Sequence, residues 1–236
     1  MSKKIWGFVM GERFRIAAVM VTPVIFTAHA TLDGLLGALL FDELQDVDAA
    51  HAAIPLRSTD GLFHASAAHL LGVTTADKIG FIAGLRASHD IALDRIERNK
   101  HGEPHKALGL TRRSDFGNVA NAYTAHAATV IEWTAEGDGD RVIELLQGVH
   151  AIGKRRNAGF GEVLNWHIEQ ADDDGVVGID GRVLRPIPVE ILGPGHSDVA
   201  ADAGWRPAYW NPRHRAACYV PSGRIEFAVT EEAASA

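Results

Sequence analysis

The chain has 236 residues, 47% hydrophobic and 22% charged, with a formal net charge of -7. That composition describes one large globular domain or two small ones, and it argues against a surface that binds nucleic acid everywhere, though not against a local basic groove. The lone cysteine, Cys218, excludes an internal disulfide and a multi-cysteine zinc site, and fits a reducing cytoplasm.

The N-terminal stretch MSKKIWGFVMGERFR is broken by Gly11, Glu12 and Arg13, so it lacks the continuous apolar core of a signal peptide. The apolar run 16–30 contains Pro23, Thr22, Thr27 and His29, and is too interrupted to span a bilayer. A cytoplasmic protein with no membrane attachment is the expectation. The run Phe14 to Phe26, rich in valine and isoleucine, predicts a buried strand that loosens at Pro23. Thr31 is placed to cap a first helix carrying Leu35, Leu39 and Phe41, and the acidic, alanine-rich stretch 42–53 extends it or loops out. Strands are expected at 62–71 and 78–86. The pattern then dissolves over 88–121, the most basic part of the chain; a loop that long in a compact domain is functional or disordered.

Asn121 to Trp133 reads as one further strand, followed by a turn at 136–140 and a second helix to Val149 with Val142, Leu145, Leu146 and Val149 at helical spacing. Next come Gly153, Gly159 and Gly161 around Lys154, Arg155, Arg156 and Asn157. After them, Gly161 to Ile168 alternates as a strand, with Val163, Asn165 and His167 on one face and Leu164, Trp166 and Ile168 on the other. Glycine lets a ligand approach the peptide N–H groups, and three adjacent cations bury poorly, so a phosphate cradle and a plain surface turn both fit. GxxxxGK[ST] is absent. The dinucleotide fingerprint needs a strand before the glycines and a helix after them, the reverse of the order here. Beyond the acidic turn 172–174, short strands alternate with prolines, and 218–220 with 225–229 read as a late hairpin.

Strand, helix, strand, strand, with inserts, and again strand, helix, strand approximates βαββαβ, an α+β ferredoxin-like sheet with helices on one face, of a kind that often binds RNA across the sheet, as RRM domains do. The helix, glycine-rich loop and strand at 141–168 resemble the RAMP superfamily of CRISPR-associated RNA-binding proteins. Leu32-Asp-Gly-Leu-Leu, Thr111-Arg-Arg-Ser-Asp and Trp205-Arg-Pro-Ala-Tyr-Trp make the chain resemble the type IV RAMP subunit of the Cas-five kind. That resemblance implies a single RAMP domain over 1–236, with a core of about 14–170, a thumb-like insert at 88–121 and a β-rich, proline-rich extension at 171–236. It implies a non-catalytic subunit that caps the 5′ handle of the guide RNA. Lys154, Arg155, Arg156, Asn157, Gly159, Phe160 and Gly161 would hold phosphates, with Lys100, His105, Lys106, Arg112 and Arg113 of the insert. The partners implied are crRNA, the RAMP backbone subunits, the large subunit and a guide-processing RAMP subunit, with target DNA and a helicase as further candidates. Leu32 to Leu36 would pack inside, and Trp205 to Trp210 would form a lid on the core or a stacking surface.

Twelve histidines invite a metal or catalytic reading. His64 and His69 have the wrong spacing for one helix face, Gly102 and Pro104 break any helix between His101 and His105, and no carboxylate cluster is evident beside them. No metal, cofactor or catalytic residue is therefore expected. Some RAMP proteins cleave RNA without metal, and for that alternative His29 is the first candidate, with Tyr123 and His126 after it. A small-molecule-binding α+β protein is the second alternative.

Overall fold

Alternation dictates the first strand. In β1 (Glu12–Met20), Phe14, Ile16 and Ala18 are fully buried while Arg13, Arg15 and Ala17 face the other way. The computed structural model describes residues 11–26, 29–83, 98, 100–103, 119–194, 196 and 199–229. The chain divides into two compact units, Met1–Ala76 with Ala125–Ala236, and Asp77–Thr124.

In the first unit β1 is followed by α1 (Leu32–Leu44) and α2 (Val47–Ala52). A small hairpin, β2 (Ser58–Thr59) and β3 (Leu62–Phe63), precedes β4 (His69–Val73). β5 (Ala76–Ala83) pairs with β6 (Val119–His126), a ladder that lies in the second unit except for Ala76, Ala125 and His126, and the tilted rings of Phe81 and Tyr123 meet across it with centroids 6.0 Å apart. The first unit resumes with β7 (Val130–Gly137), α3 (Gly139–Leu146) and β8 (Val163–Gln170). Its main sheet runs β12-β4-β7-β1-β8, where β12 is Ile225–Phe227. β7 is antiparallel to both β1 and β4, and β8 is antiparallel to β1. Each βαβ unit is therefore split by one antiparallel strand, which is the ferredoxin-like arrangement within an α+β fold. Leu32, Leu36 and Leu40 of α1 and Val142 and Leu146 of α3 share one core with Phe14, Ile16, Ile131 and Trp133, so both helices cover one face. Each such side chain contributes about 1.5–3 kcal/mol by leaving water.

Three expectations are corrected. Asn121 to Trp133 is not one strand: the chain turns at 127–129, β6 pairs with β5, and β7 enters the main sheet. Alternation along β8 breaks because Met20 pairs with Val163 and Val19 with Asn165, leaving Leu164 as a bulge. Val163, Trp166 and Ile168 therefore pack on the core, while Leu164 is 68% exposed. The late hairpin does not form. β11 (Arg215–Tyr219) pairs with β10 (Ala200–Gly204) and β9 (Ile187–Pro188), whereas β12 runs parallel to β4. A short helix, α4 (Val189–Leu192), follows β9.

Thr31 occupies the N-cap position of α1 but makes no capping bond; its hydroxyl donates to the Tyr209 oxygen at 2.7 Å. That contact belongs to a buried polar cluster. Asp33 of α1 accepts from Arg185 at 3.1 Å and from the Tyr209 hydroxyl at 2.8 Å. Arg185, fully buried, also donates to the carbonyls of Phe63, Ala65 and Trp205. Burial pulls the Arg185 pKa down, but Asp33 and Tyr209 outweigh it and hold it above its ordinary value, so the guanidinium stays charged. Burial also pushes the Tyr209 pKa up. Removing one partner strands the other charge without water. Asp33→Ala is expected to cost about 3–5 kcal/mol in urea unfolding, and Tyr209→Phe about 1–2 kcal/mol; equal, small losses would contradict this ranking.

Candidate nucleic-acid interface

The segment Thr22–Phe26 links the candidate functional groups of the first unit. It continues β1 past Pro23, and its polar backbone is spent on two neighbours. On one side Val24 exchanges both backbone hydrogen bonds with His126, each at 2.9 Å. On the other side the glycine-rich loop is tied to it: Lys154 N–H donates to Ile25 O and Gly161 N–H to Pro23 O, both at 2.9 Å, and Glu162 N–H donates to the Thr22 hydroxyl. The loop closes on itself through Ile152 N–H to Gly161 O at 2.8 Å. The glycines serve these crossings. A Cβ on Gly161 would sit on the Ile152 carbonyl, and one on Gly153 would lie 2.7 Å from the Ile25 oxygen. Both residues have positive φ, so the sequence could place no other residue there without strain.

A phosphate cradle of peptide N–H groups is thus not what this loop offers at Lys154 and Gly161, whose N–H groups face protein carbonyls. What it offers is side chains. Residues 156–158 make one 3-10 turn, entered through Arg155 in the left-handed region. Lys154, Arg156, Asn157 and Gly159 are exposed, Arg155 and Phe160 are half-buried, and Gly161 is buried. Of the insert residues expected beside them, Lys100 is described and exposed; His105, Lys106, Arg112 and Arg113 lie outside the described residues.

The open face of the sheet carries charge. Arg15 lies 3.7 Å from Glu132 and 3.2 Å from Glu169, and Arg13 lies 3.4 Å from Glu136. His167 stands beside Ala17, and His69 is 3.0 Å from Glu226. RRM-type sheets stack bases on aromatic side chains. Among the described residues, β1, β7 and β8 present paired charges and small residues at those positions.

Two groupings of histidines stand out among the described residues. His64 lies 3.1 Å through Nδ1 from Asp174 and 2.9 Å through Nε2 from the Thr59 hydroxyl. His64, Glu136 and Asp174 offer atoms within 4.8 Å of one another, a carboxylate cluster that sequence spacing did not reveal. Arg57 at 2.7 Å and Arg13 already neutralise Glu136 and compete with any cation there. The second group is His29 and His126, nearly a hundred positions apart in sequence, which line one cavity of about 360 Å³ with Phe26, Leu70, Arg224 and Ile225. Burial lowers both pKa values below the ordinary 6.5. Arg224 is held by Ser66 Oγ at 3.3 Å and Ala67 O at 2.6 Å, and burial lowers its pKa to about 10, so it remains charged at neutral pH. Phe26 and Arg224 carried no sequence signal, since neither sits in a motif. Tyr123 belongs to the second unit.

Leu32 and Leu36 are fully buried, while the Trp205 to Trp210 stretch is mixed. Trp205 packs on Leu62, Val183 and Ile187, with Arg206 4.9 Å above its ring, and Trp210 is 77% exposed. Among the described residues no helix is long and apolar enough to cross a membrane.

Residues 83–221, more than half of the chain, match the family model described as CRISPR type IV associated protein Csf3. The glycine-rich loop, the 111–115 stretch and Trp205 to Trp210 fall inside the match; Leu32 to Leu36 lies before it. No curated protein matches the chain.

Burial lowers the pKa of His29, His51, His69 and His126. Below 6.5 the unfolded chain binds protons that the folded chain does not, so stability rises with pH through that window and is lost on acidification. The thermal midpoint is expected to fall as pH drops from 7.5 to 5.5, and to fall less in His126→Ala. An unchanged slope in that variant would mean His126 titrates alike in both states.

Proposed function

We propose, for a chain that belongs to the Csf3 family of CRISPR type IV associated proteins, that this RAMP protein is a non-catalytic guide-RNA-binding subunit of the Cas-five-like kind. It would cap the 5′ handle and contact the RAMP backbone subunits of a cytoplasmic effector complex, with the large subunit and a guide-processing RAMP subunit as neighbours. The observation that carries this reading is the exposed Lys154 and Arg156 on a rigid loop of an otherwise acidic protein. A net charge of -7 repels RNA from most of the surface and leaves such a loop as a favourable landing place. Side chains rather than peptide N–H groups make the contact, which suits a backbone read by charge and not by sequence. The α+β sheet then serves as the scaffold that fixes the loop, not as an RRM-like stacking platform, since its open face carries ion pairs.

A second reading, metal-independent cleavage of precursor guide RNA, has one observation in its favour: His29 and His126 share a cavity with Arg224. Such a cut needs a base for the 2′-OH, an acid for the leaving oxygen and a cation for the developing charge. The two readings part on one assay. Under the binding reading, labelled repeat RNA incubated with the protein in EDTA stays intact; one discrete cut that His29→Ala abolishes would establish the second.

For the binding reading itself, changing Lys154, Arg155 and Arg156 together to Ala should weaken single-stranded guide RNA and flatten the salt dependence by about two in log–log slope, at ~0.7 per phosphate contact. Unchanged affinity and slope would place the RNA elsewhere.

A further inference from the structure

The cavity beside the basic loop has features that the binding reading does not use. One wall is apolar, built by Phe26, Leu70 and Ile225. Small residues and Pro221 extend the apolar lining, and His29, His126 and Arg224 supply its polar side chains. Nδ1 of His126 and Nε of Arg224 are buried and have no hydrogen-bond partner among the described residues. Both atoms are closed off from solvent, so a ligand in the cavity meets the imidazole's other edge and the guanidinium's charge rather than these two atoms. The remaining imidazole nitrogen offers a donor or an acceptor according to tautomer, and the guanidinium is pinned by Ser66 and Ala67, so its charge is preorganised.

Size and surroundings narrow the ligand. About 360 Å³ is at the small end of ligand pockets. It is too little for a helix or a run of stacked bases, and enough for one compact planar group with a polar edge. The location narrows it further. Phe26 follows Ile25, whose carbonyl anchors Lys154, and His126 is paired through its backbone with Val24. One five-residue segment therefore fixes both the cationic loop and the cavity mouth, so a strand lying on the loop has the cavity as its neighbour.

We propose that this cavity takes a single unstacked nucleotide of the bound RNA, its base against Phe26 and hydrogen-bonded at His126, its phosphate toward Arg224. The inference rests on the RNA-binding reading and deepens it: the loop supplies charge, and the cavity supplies a place where one base is read. An aromatic wall accepts any base by stacking, whereas the imidazole edge selects among them.

The test uses the full chain and separates the two claims. AMP, GMP, CMP and UMP are titrated singly, with inorganic phosphate as control, while the histidine side-chain resonances are followed by NMR. Single-stranded repeat RNA is titrated separately. The expectation is that one or more nucleotides shift His29 and His126 and phosphate alone does not. Phe26→Ala should weaken that binding about 5- to 160-fold, the range for loss of one base–aromatic stack. His126→Ala, which leaves the apolar wall intact, should narrow the preference among the four bases. The Lys154, Arg155 and Arg156 triple variant should lose RNA affinity and keep the nucleotide response. If RNA binds and no nucleotide reaches these histidines, or phosphate alone reproduces the shifts, the cavity proposal is overturned and the RNA reading stands. If nucleotides bind and RNA does not, the RNA reading fails and the cavity is a free nucleotide site.

Discussion

Everything in the first unit depends on how Asp33 is satisfied. It sits at the start of α1, on the face turned to the core, where a carboxylate has no water. Arg185, more than 150 positions away, is brought in to pair with it, and the Tyr209 hydroxyl donates to the same oxygen, Oδ2, while Oδ1 has no hydrogen-bond partner among the described residues. Because Arg185 also takes up the carbonyls of Phe63, Ala65 and Trp205, one guanidinium ties the small hairpin, the C-terminal extension and α1 together. Apolar residues of similar volume could fill such a space at no loss of stability. What the charged arrangement adds is a single allowed geometry, since a guanidinium accepts only a small set of acceptor positions. Gly34 belongs to the same design, because a Cβ there would lie 2.9 Å from the Tyr209 ring.

The charge of the molecule is arranged by a similar division of labour. The arginines of β1, and Arg57 beside the sheet, are paired where they stand: Arg13 and Arg57 with Glu136, Arg15 with Glu132 and Glu169. On the glycine-rich loop Arg156 has no carboxylate within ion-pair distance among the described residues. A polyanion approaching this surface meets paired charges on the sheet and an uncompensated cation at the loop, and a local field of that kind directs encounter more than it adds affinity.

How much of this was legible in the chain depended on the range of the interaction. The helix, loop and strand at 141–168 could be read because glycine, charge and periodicity are local signals, and the α+β class followed from the βαββαβ rhythm, although the strand expected at 78–86 pairs outside the main sheet. The bulge at Leu164 could not, since alternation assumes that both strands advance in step. The pairing of β12 with β4 left no trace either; a parallel ladder needs no turn between its strands, and Pro221-Ser-Gly mimicked a hairpin that never closes. The role of the loop glycines was misjudged for a related reason. Glycine permits close approach without saying whether a ligand or another part of the chain does the approaching, and here the Ile25 and Ile152 carbonyls do. His29 was visible as an oddity at a strand–helix joint, but its neighbours Phe26, His126 and Arg224 meet only in three dimensions.

The parallel β12 strand also dictates an order of events during synthesis. β4 forms one side of its ladder with β7, about 60 residues further on, but its other edge stays uncovered until residues 225–227 have left the ribosome. Arg185 reaches Asp33 late as well. For most of translation the nascent sheet therefore shows an open edge and α1 holds an unpaired carboxylate, conditions that favour association with other strands over folding. A chain built this way gains from fast completion or from a holding factor that shields β4, and truncation before β12 would leave a species prone to aggregate, not a smaller version of the fold.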